Sequence, residues 1–325
     1  MRAAGITKFG APVRPLVLPG PAGLRADEVL IDVRYSGVGH WDQLAAAGDW
    51  DLGARPPMAL GVQAAGVVAR TGGAPGAPQQ GEAVMTHSLP LRWQGTWAEQ
   101  FVAAVADVAV LPAGMPLEVA GAAPVPLLTA DKALRAAGQA LRAAGRAAEQ
   151  AAGADRLDQL IVLVSGAAGV TGLVLVQLAA HLGGRVIATA GQRSAPRVLA
   201  AGAAQVIDYR SDDWPGEVRA LTGGTGADLA VNAVPGGAAT ALRAVRDGGA
   251  LVTITSDPPP ADRGITVCQV YVAPDGQRLA RLGSLLGAGV LRVTPGADYP
   301  LSQPGPALAQ VARGTGGQTV LLRTG

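Results

Sequence analysis

The sequence is poor in cysteine, which excludes two common ways of stabilising a protein. Cys268 is the only cysteine among 325 residues. A single thiol cannot form an intramolecular disulfide, and it cannot supply a zinc site that is built from several cysteines.

Charge is also scarce and nearly balanced. Charged residues make up 15% of the chain, 26 basic residues stand against 24 acidic ones, and the net charge is +2. Hydrophobic residues make up 49%, which excludes a disordered chain because disorder needs low hydrophobicity and high charge. Lys8 and Lys132 are the only lysines. No basic tail or block occurs, which argues against nucleic acid as a partner.

The first ten residues and one long uncharged stretch bear on the expected location of the protein. Met1–Gly10 lacks the apolar core of a signal peptide, so we expect a cytoplasmic protein. Gln159–Gly184 contains no Asp, Glu, Lys or Arg and is long enough to span a bilayer. However, glycines interrupt its first half, and Gln177 and His181 lie in its second half. We interpret it as a buried strand, a tight turn and a buried helix, not as a membrane span.

The hydrophobic pattern changes after the first third of the chain. That third has short apolar runs between turn signals, including the alternating run Val29–Tyr35, and it predicts a mostly β domain. From Leu160 onward, strand candidates alternate with helical patterns, which predicts parallel βαβ units. The strand candidates are Leu160–Val164, Arg185–Thr189, Gln205–Ile207, Asp228–Val231, Ala250–Ile254 and Ile265–Val272. The tail predicts helices at Gln277–Leu286 and Ala307–Ala312, a turn-rich segment between them, and a strand at Thr319–Leu322.

A seven-residue repeat separates the two parts. It runs through Ala133–Gln139 and Ala140–Arg146 and continues loosely to Gly153. Ala, Leu, Arg and Gln favour helix, whereas Gly138 and Gly145 each weaken it by about 1 kcal/mol. We predict a solvated helix here. A helix that binds a partner or covers a pocket is the alternative.

A glycine-rich turn carries the main chemical signal. The run Val162–Gly172 follows a predicted strand and opens a predicted helix, the context that a dinucleotide-binding turn requires. Glycine lets the backbone approach a pyrophosphate, and the start of the helix supplies unpaired N–H groups and a positive dipole end. The expected pyrophosphate-binding residues are Gly166, Ala167, Ala168, Gly169, Val170 and Gly172. A purely structural glycine turn in another α/β fold is the alternative.

The end of the next strand indicates which dinucleotide binds. NAD-binding proteins usually place an acid about 20 residues after the turn, where it holds the ribose 2′-hydroxyl. No Asp or Glu occurs in 172–207, and the strand instead leads into Gly191, Gln192 and Arg193, with Arg197 close behind. Guanidinium groups bind a 2′-phosphate bidentately, whereas an acid would repel it. We therefore predict NADPH. The alternative is that the two arginines only solvate the start of a helix.

Further motifs occur in a fixed order along nearly the whole chain. Beside the glycine turn, they are Gly37–Asp42, Leu60–Gly66, Gly95–Glu99, Leu128–Ala130, Val206–Arg210 and Gly316–Leu321. This order resembles the medium-chain dehydrogenase/reductase superfamily, specifically its zinc-free, quinone oxidoreductase-like branch. The resemblance implies an α/β fold in which a Rossmann-type parallel sheet, the cofactor domain, is inserted in a partly open β-barrel (GroES-like) catalytic domain. The implied domains are 1–121 plus 274–325 for catalysis and 122–273 for NADPH, with the active site in the cleft between them.

The resemblance also implies roles for single residues. Tyr209 stands where relatives contact the adenosine end of NADPH, Thr129 stands near the nicotinamide site, and Val234 begins a loop that lines the cofactor. Tyr209 would therefore join the two arginines at the 2′-phosphate. The sixth strand, near Ile265–Val272, pairs across a homodimer in such relatives, so we expect a homodimer through this strand.

The same resemblance argues against a catalytic metal. Zinc alcohol dehydrogenases of the superfamily have Cys where Gly39 stands and His where Val62 stands, and Gln63 replaces their adjacent acid. Gly and Val side chains cannot coordinate zinc, and the cysteine-rich zinc lobe is absent as well. We expect no metal and no zinc-assisted alcohol oxidation.

Two reactions remain for an NADPH-dependent enzyme without zinc. Quinone reduction makes few demands on protein acids because solvent can protonate the hydroquinone oxygens. Reduction of an alkene that is conjugated to a carbonyl needs a proton delivered to carbon by a placed donor. Related trans-enoyl reductases carry a tyrosine near the position of Trp50, and tryptophan has no suitable acidic proton.

Five residues are candidates for the substrate side of the site. His40 is a candidate proton donor or ligand of a substrate oxygen, and Asp42 is the second catalytic candidate. A structural histidine and an aspartate that braces the backbone are the alternatives. Trp41 and Trp50 can stack on a flat substrate or belong to the core, and Thr129 would lie beside the nicotinamide.

We therefore expect a cytoplasmic, NADPH-dependent reductase of quinones or related conjugated carbonyl compounds, with a small-molecule quinone or enone as its substrate. Two alternatives stay open. The first is a tailoring enzyme that reduces an enoyl or polyketide-like intermediate in a biosynthetic pathway. The second is a protein that binds NADPH without catalysing a reaction.

Replacement of Arg193 by Ala should raise the KM for NADPH strongly and change the KM for NADH little, because only the 2′-phosphate requires this guanidinium. Steady-state kinetics with both cofactors measure the effect. Equal losses with both cofactors would contradict the assignment.

Overall fold

The structure, a computed structural model, describes residues 1–143 and 156–325. The chain divides into two units, Met1–Leu128 with Ala273–Gly325 (unit 1) and Thr129–Val272 (unit 2). The resemblance implies a boundary between residues 121 and 122, whereas the two units divide between Leu128 and Thr129, inside a helix. In the first turn of that helix, the Val125 N–H donates to Oε1 of Gln63 at 2.8 Å, and both residues belong to unit 1.

The first stretch of the chain forms most of unit 1. Its elements are β1 (Arg2–Ile6), β2 (Arg14–Val17), β3 (Glu28–Val38), α1 (His40–Ala47), β4 (Met58–Ala59), β5 (Gln63–Thr71), β6 (Ala83–His87), β7 (Gln100–Ala104), β8 (Val108–Val110) and α2 (Leu117–Ala122). The next helix, α3 (Pro124–Ala143), begins in unit 1 and belongs to unit 2 from Thr129 onward. The mostly β character that the sequence predicts for this part is confirmed. Trp97 and Phe101 are among its largest fully buried side chains.

Unit 2 alternates strands and helices, as predicted. Its elements after α3 are β9 (Ile161–Ser165), α4 (Val170–His181), β10 (Arg185–Thr189), α5 (Ala195–Ala200), β11 (Gln205–Ile207), α6 (Trp214–Leu221), β12 (Ala227–Asn232), α7 (Ala238–Arg243), β13 (Val245–Thr253) and β14 (Thr266–Gln269). The strands form one parallel sheet in the order β11-β10-β9-β12-β13-β14. This is the strand order of doubly wound folds that bind dinucleotides at the carboxyl edge of the sheet. Leu163, Ile187 and Leu251 belong to its apolar core.

The last stretch returns to unit 1. It contains α8 (Gly276–Gly287), β15 (Pro295–Pro300), α9 (Pro304–Arg313) and β16 (Thr319–Arg323). β16 pairs with β3 in a sheet of the order β15-β16-β3-β5-β6-β8, and β7 also pairs with β3. β2, β1 and β4 form a separate antiparallel sheet. The predicted α/β fold, with a parallel sheet inserted between two parts of a β-rich unit, is confirmed.

Two strands differ from the sequence-based prediction. β13 begins at Val245, earlier than the predicted Ala250, and its pairing with β12 shifts register between Ala227 and Leu229. Gly248, with a φ of +66°, accommodates this bulge, although a glycine pair in the sequence is more typical of a turn. The predicted turn-rich segment contains β15, an edge strand that tolerates prolines because no strand among the described residues pairs with one of its sides.

The structure agrees with the prediction for the uncharged stretch and differs from the prediction for the repeat. Gln159–Gly184 contains β9, a turn and α4, and no helix in the described ranges is long and apolar enough to cross a membrane. The first repeat unit lies in α3, where Ala133, Leu134 and Ala137 are buried. The helix therefore has a packed face and is not solvated all round. The rest of the repeat from residue 144, through Gly145 to Gly153, lies outside the described residues.

Candidate functional site

The glycine-rich turn of unit 2 joins β9 to α4 and is tied to the end of β10. The Gly166 N–H donates to Oγ1 of Thr189 at 3.1 Å, and the Ala167 N–H donates to the Thr189 carbonyl oxygen at 3.1 Å. Gly166 has a φ of +82°, and a Cβ atom there would lie 2.6 Å from Cγ2 of Val234. Both the backbone conformation and the packing therefore require glycine at 166.

Gly172 and Gly169, two further glycines of the turn, differ in the space that the protein leaves for a Cβ atom. A Cβ atom at Gly172 would lie 2.2 Å from the carbonyl oxygen of Gly166, so protein packing excludes any other residue. Gly169 has a φ of −74°, which any residue adopts, and a Cβ atom there would lie 3.6 Å from the same oxygen. No contact within residues 1–143 and 156–325 therefore requires glycine at the exposed position 169. A ligand that closely approaches the backbone would require it.

The start of α4 presents backbone donors beside Gly169. Gly169 is the N-cap residue, and the first hydrogen bond of the helix runs from the Leu173 N–H to its carbonyl oxygen at 2.9 Å. The N–H groups of Val170, Thr171 and Gly172 precede that bond and have no partner within the helix. Together with the helix dipole, they form a site that attracts an anion. These residues fit the pyrophosphate of a dinucleotide.

The residues predicted for the adenosine end lie beyond β10 and β11. Thr189 pairs with Ile207 in parallel register, so Gly191 and Tyr209 lie level with each other just past the strand ends. A Cβ atom at Gly191 would lie 3.5 Å from Cε1 of Tyr209, whose side chain is 53% exposed. Arg193 is exposed in the segment that joins β10 to α5. The structure therefore brings Gly191 and Tyr209 together at the edge of the sheet.

Arg197 contacts the glycine turn, and its predicted role at the 2′-phosphate stays a prediction. Its Nη2 donates to the carbonyl oxygen of Ala168 at 3.1 Å, which places its guanidinium at the glycine turn. Gln192 is exposed before α5, and Val234 is 38% exposed next to Gly166.

A buried asparagine at the end of β12 is absent from the sequence-based site. Nδ2 of Asn232 donates to the Val234 carbonyl oxygen at 2.9 Å, and its Oδ1 accepts from the Val234 N–H at 3.3 Å. This side chain thus fixes the backbone of the loop that covers Gly166. An asparagine directly after a buried apolar strand and before Val234 was the available signal.

Asp257 holds the other end of the same loop. Its carboxylate accepts hydrogen bonds from the hydroxyls of Thr253 and Thr255 and from the Ala238 N–H, the last at 3.2 Å. Burial acts to raise the pKa of Asp257, but these three donors and the backbone N–H of Asp257 itself outweigh burial, and the pKa is lowered from its ordinary value. The loop therefore ends against a fixed negative charge at the start of α7.

The predicted catalytic residues of unit 1 lie on the first turn of α1. His40 is exposed, Trp41 is half-buried and Asp42 is fully buried. Oδ2 of Asp42 accepts from the Gly39 N–H at 2.8 Å, which caps α1, and Oδ1 has no hydrogen-bonding partner in the described part of the chain. Burial raises the pKa of Asp42 to about 8, against the lowering effect of the N–H groups of Gly39 and Gly61. The carboxyl group is therefore mostly protonated at neutral pH, and its visible contact is a backbone brace.

The two remaining predicted pocket residues lie in different units. Trp50 is half-buried beyond α1 in unit 1, and Thr129 is buried in α3 at the first residue of unit 2. Their assignment to one pocket stays a prediction.

Comparison with known proteins relates both units to one superfamily. The alcohol dehydrogenase GroES-like domain family matches residues 25–113, and the zinc-binding dehydrogenase family matches residues 170–286. The chain is 28% identical to the quinone oxidoreductase of Lama guanicoe, covering 99% of this chain and 97% of the relative. The chain belongs to the medium-chain dehydrogenase/reductase superfamily. Within this superfamily it is quinone oxidoreductase-like.

Two further relatives of this superfamily member bear on its function. A mycobacterial protein complexed with NADPH is 28% identical and has a TM-score of 0.78, with 100% of both chains covered. A pikromycin polyketide synthase component of Streptomyces venezuelae is 30% identical over 94% of this chain, which spans 8% of that protein.

The residues of this dehydrogenase/reductase do not fit a zinc ion at the position that zinc members use. A Cβ atom at Gly39 would lie 2.4 Å from ring carbons of Trp41, so Trp41 fills the space of a ligand side chain there. The Val62 carbonyl oxygen lies 3.0 Å from Nδ1 of His87, and burial lowers the pKa of His87 to about 4. No group of three His, Cys, Asp or Glu side chains within the described ranges is placed to hold a metal.

Replacement of Gly169 by Ala should weaken NADPH binding at least about tenfold, or ~1.4 kcal/mol, because the methyl group would occupy the space of the pyrophosphate. The free energy of unfolding should change by about 1 kcal/mol or less, since the protein leaves room for a Cβ atom. Calorimetric titration and urea unfolding measure the two effects. The matched control, Gly172→Ala, should instead destabilise the fold. NADPH affinity of G169A equal to that of the wild type would refute the assignment.

Replacement of Asp42 by Asn should make stability less dependent on pH. The folded-state pKa of about 8 exceeds the ordinary 3.8, so the wild type loses stability as the pH rises from about 4 to about 8. The loss approaches about 1.4 kcal/mol for each pH unit within that window. An amide oxygen can keep the bond to the Gly39 N–H without ionising. Urea unfolding at pH 5 and pH 8 measures the free energy of unfolding of both proteins. The stability of D42N relative to the wild type should be higher at pH 8 than at pH 5. The same difference at both pH values would contradict the raised pKa.

Proposed function

We propose that the chain is an NADPH-dependent, zinc-independent reductase of quinones or related conjugated carbonyl compounds. The observation that carries this proposal is Gly169, an exposed glycine beside backbone donors that no described protein contact requires. The likeness to the quinone oxidoreductase of Lama guanicoe and to the mycobacterial protein complexed with NADPH supports it. The proposed location is the cytoplasm, an expectation from the sequence.

The residues of unit 2 would bind and orient the cofactor. The N–H groups of Val170 and Thr171 would bind the pyrophosphate, and Arg193 with Tyr209 would bind the 2′-phosphate. Bound NADPH supplies a hydride, and the acceptor takes up that hydride and one proton. The backbone of Val234, held by Asn232, would line the cofactor above the glycine turn.

On the substrate side, we assign the two candidate groups of α1 different roles. His40 is exposed and can reach a substrate oxygen as a hydrogen-bond or proton donor. Asp42 is buried and acts through α1, whose first turn it braces at the Gly39 N–H. Trp41 and Trp50 would present flat apolar surface to a flat acceptor.

A second candidate function is reduction of an enoyl or polyketide-like intermediate in a biosynthetic pathway. The likeness to the pikromycin polyketide synthase component favours it. Tryptophan at position 50, where trans-enoyl reductases carry tyrosine, favours the quinone instead because indole has no suitable acidic proton.

We further propose a homodimer through β14. This strand pairs with β13 on one side, and in the described part of the chain no strand pairs with its other side. Such an edge is a surface on which a second copy can continue the sheet.

An acceptor panel tests the proposed reaction. Purified protein should oxidise NADPH with quinones, and added zinc chelator should leave the rate unchanged. Turnover of enones without turnover of quinones would replace the first function with the second. Binding of NADPH without oxidation by any acceptor would show a non-catalytic protein, and stoichiometric zinc in the protein would contradict zinc independence.

A further inference from the structure

Arg210 is an exposed arginine directly after Tyr209, at the predicted adenosine end of the site. Its Cζ lies 5.4 Å from the centroid of the Tyr209 ring, so the guanidinium lies over the ring face. A Cβ atom at Gly191 would lie 3.6 Å from Nη2 of Arg210. Arg210 and Tyr209 therefore both border the same glycine at the end of β10.

This location is where doubly wound folds recognise the 2′ position of the ribose. The residue that recognises the ribose follows the second strand of the fold, which is the first strand after the glycine turn. In NAD enzymes this residue is an acid. Here β10 ends at Thr189, and Gly191 follows without a side chain of its own. The space beside Gly191 is thus bordered by Tyr209 and Arg210, which follow the neighbouring strand β11.

The charge of Arg210 is available to a ligand. Within residues 1–143 and 156–325, its guanidinium has no hydrogen-bonding or ion-pairing partner, and its side chain is exposed. The nearby carboxylate of Asp208 accepts from the backbone N–H of Arg210 at 3.1 Å, not from its guanidinium. Arg197, by contrast, already donates to the glycine turn. Stacking on Tyr209 orients the planar guanidinium, which lowers the entropy cost of a bidentate contact with phosphate.

We propose that Arg210 is a specificity-determining residue whose guanidinium, stacked on Tyr209, binds the 2′-phosphate of NADPH beside Gly191. This inference rests on the proposed use of NADPH. It adds Arg210 to Arg193 at the phosphate and moves Arg197 to the glycine turn.

The test compares Arg210→Ala with Arg185→Ala. The second variant also removes one positive charge, but from the first residue of β10, at the end of the strand away from Gly191. Each variant and the wild type are titrated calorimetrically with NADPH and with NADH. The dissociation constants of the variants are compared with those of the wild type. R210A should weaken NADPH binding at least about tenfold and leave NADH binding within about twofold, because a charge-assisted hydrogen bond to phosphate is lost. R185A should bind both nucleotides as the wild type does.

The outcomes separate this inference from the proposed function. If the wild type prefers NADPH and R210A behaves like R185A, the role of Arg210 is wrong while NADPH use stands. R210A losing NADPH and NADH affinity equally would also overturn the role. If the wild type binds NADPH no more tightly than NADH, both proposals fail together.

Discussion

The close approach of Gly172 to the carbonyl oxygen of Gly166 is the constraint on which unit 2 depends. A side chain at 172 would reach within 2.2 Å of that oxygen, so the turn can close onto the helix only with glycine there. This closure starts α4 at Val170, and Thr189 ties the turn to β10. The same geometry leaves Gly169 exposed, with unpaired N–H groups directly after it. The fold thus creates an anion site from backbone alone.

Large side chains of unit 1 pack against glycines that leave no room for a Cβ atom. Gln63 places its amide against Gly37, where a Cβ atom would lie 2.1 Å from Nε2, and its Oε1 holds the start of α3 through Val125. Trp41 covers Gly39 in the same way. Gly37 at the end of β3 and Gly39 before α1 thus leave room for a large amide and a large aromatic side chain. This packing supports the proposal of a hydride transfer that needs alignment and no Lewis acid.

Much of the fold follows from sequence pattern, because buried parallel strands are apolar runs and β10 and β11 are bounded by clear turn signals. The bulge in β13 escapes that reasoning, since Gly248 and Gly249 have the same local pattern as a turn, and only pairing with β12 makes them a strand. At the site, the glycine turn is recognisable from spacing, and Tyr209 is expected from the resemblance to the superfamily. Asn232 and Arg210 are not, because their places at the site depend on residues distant in sequence, Thr255 for Asn232 and Gly191 for Arg210.

A crystal structure of the protein with NADPH tests the central claim most directly. The account predicts pyrophosphate oxygens within hydrogen-bonding distance of the N–H groups of Val170 and Thr171, and the 2′-phosphate beside Gly191. A nucleotide whose pyrophosphate lies away from the start of α4, or crystals that stay empty at saturating NADPH, would contradict it.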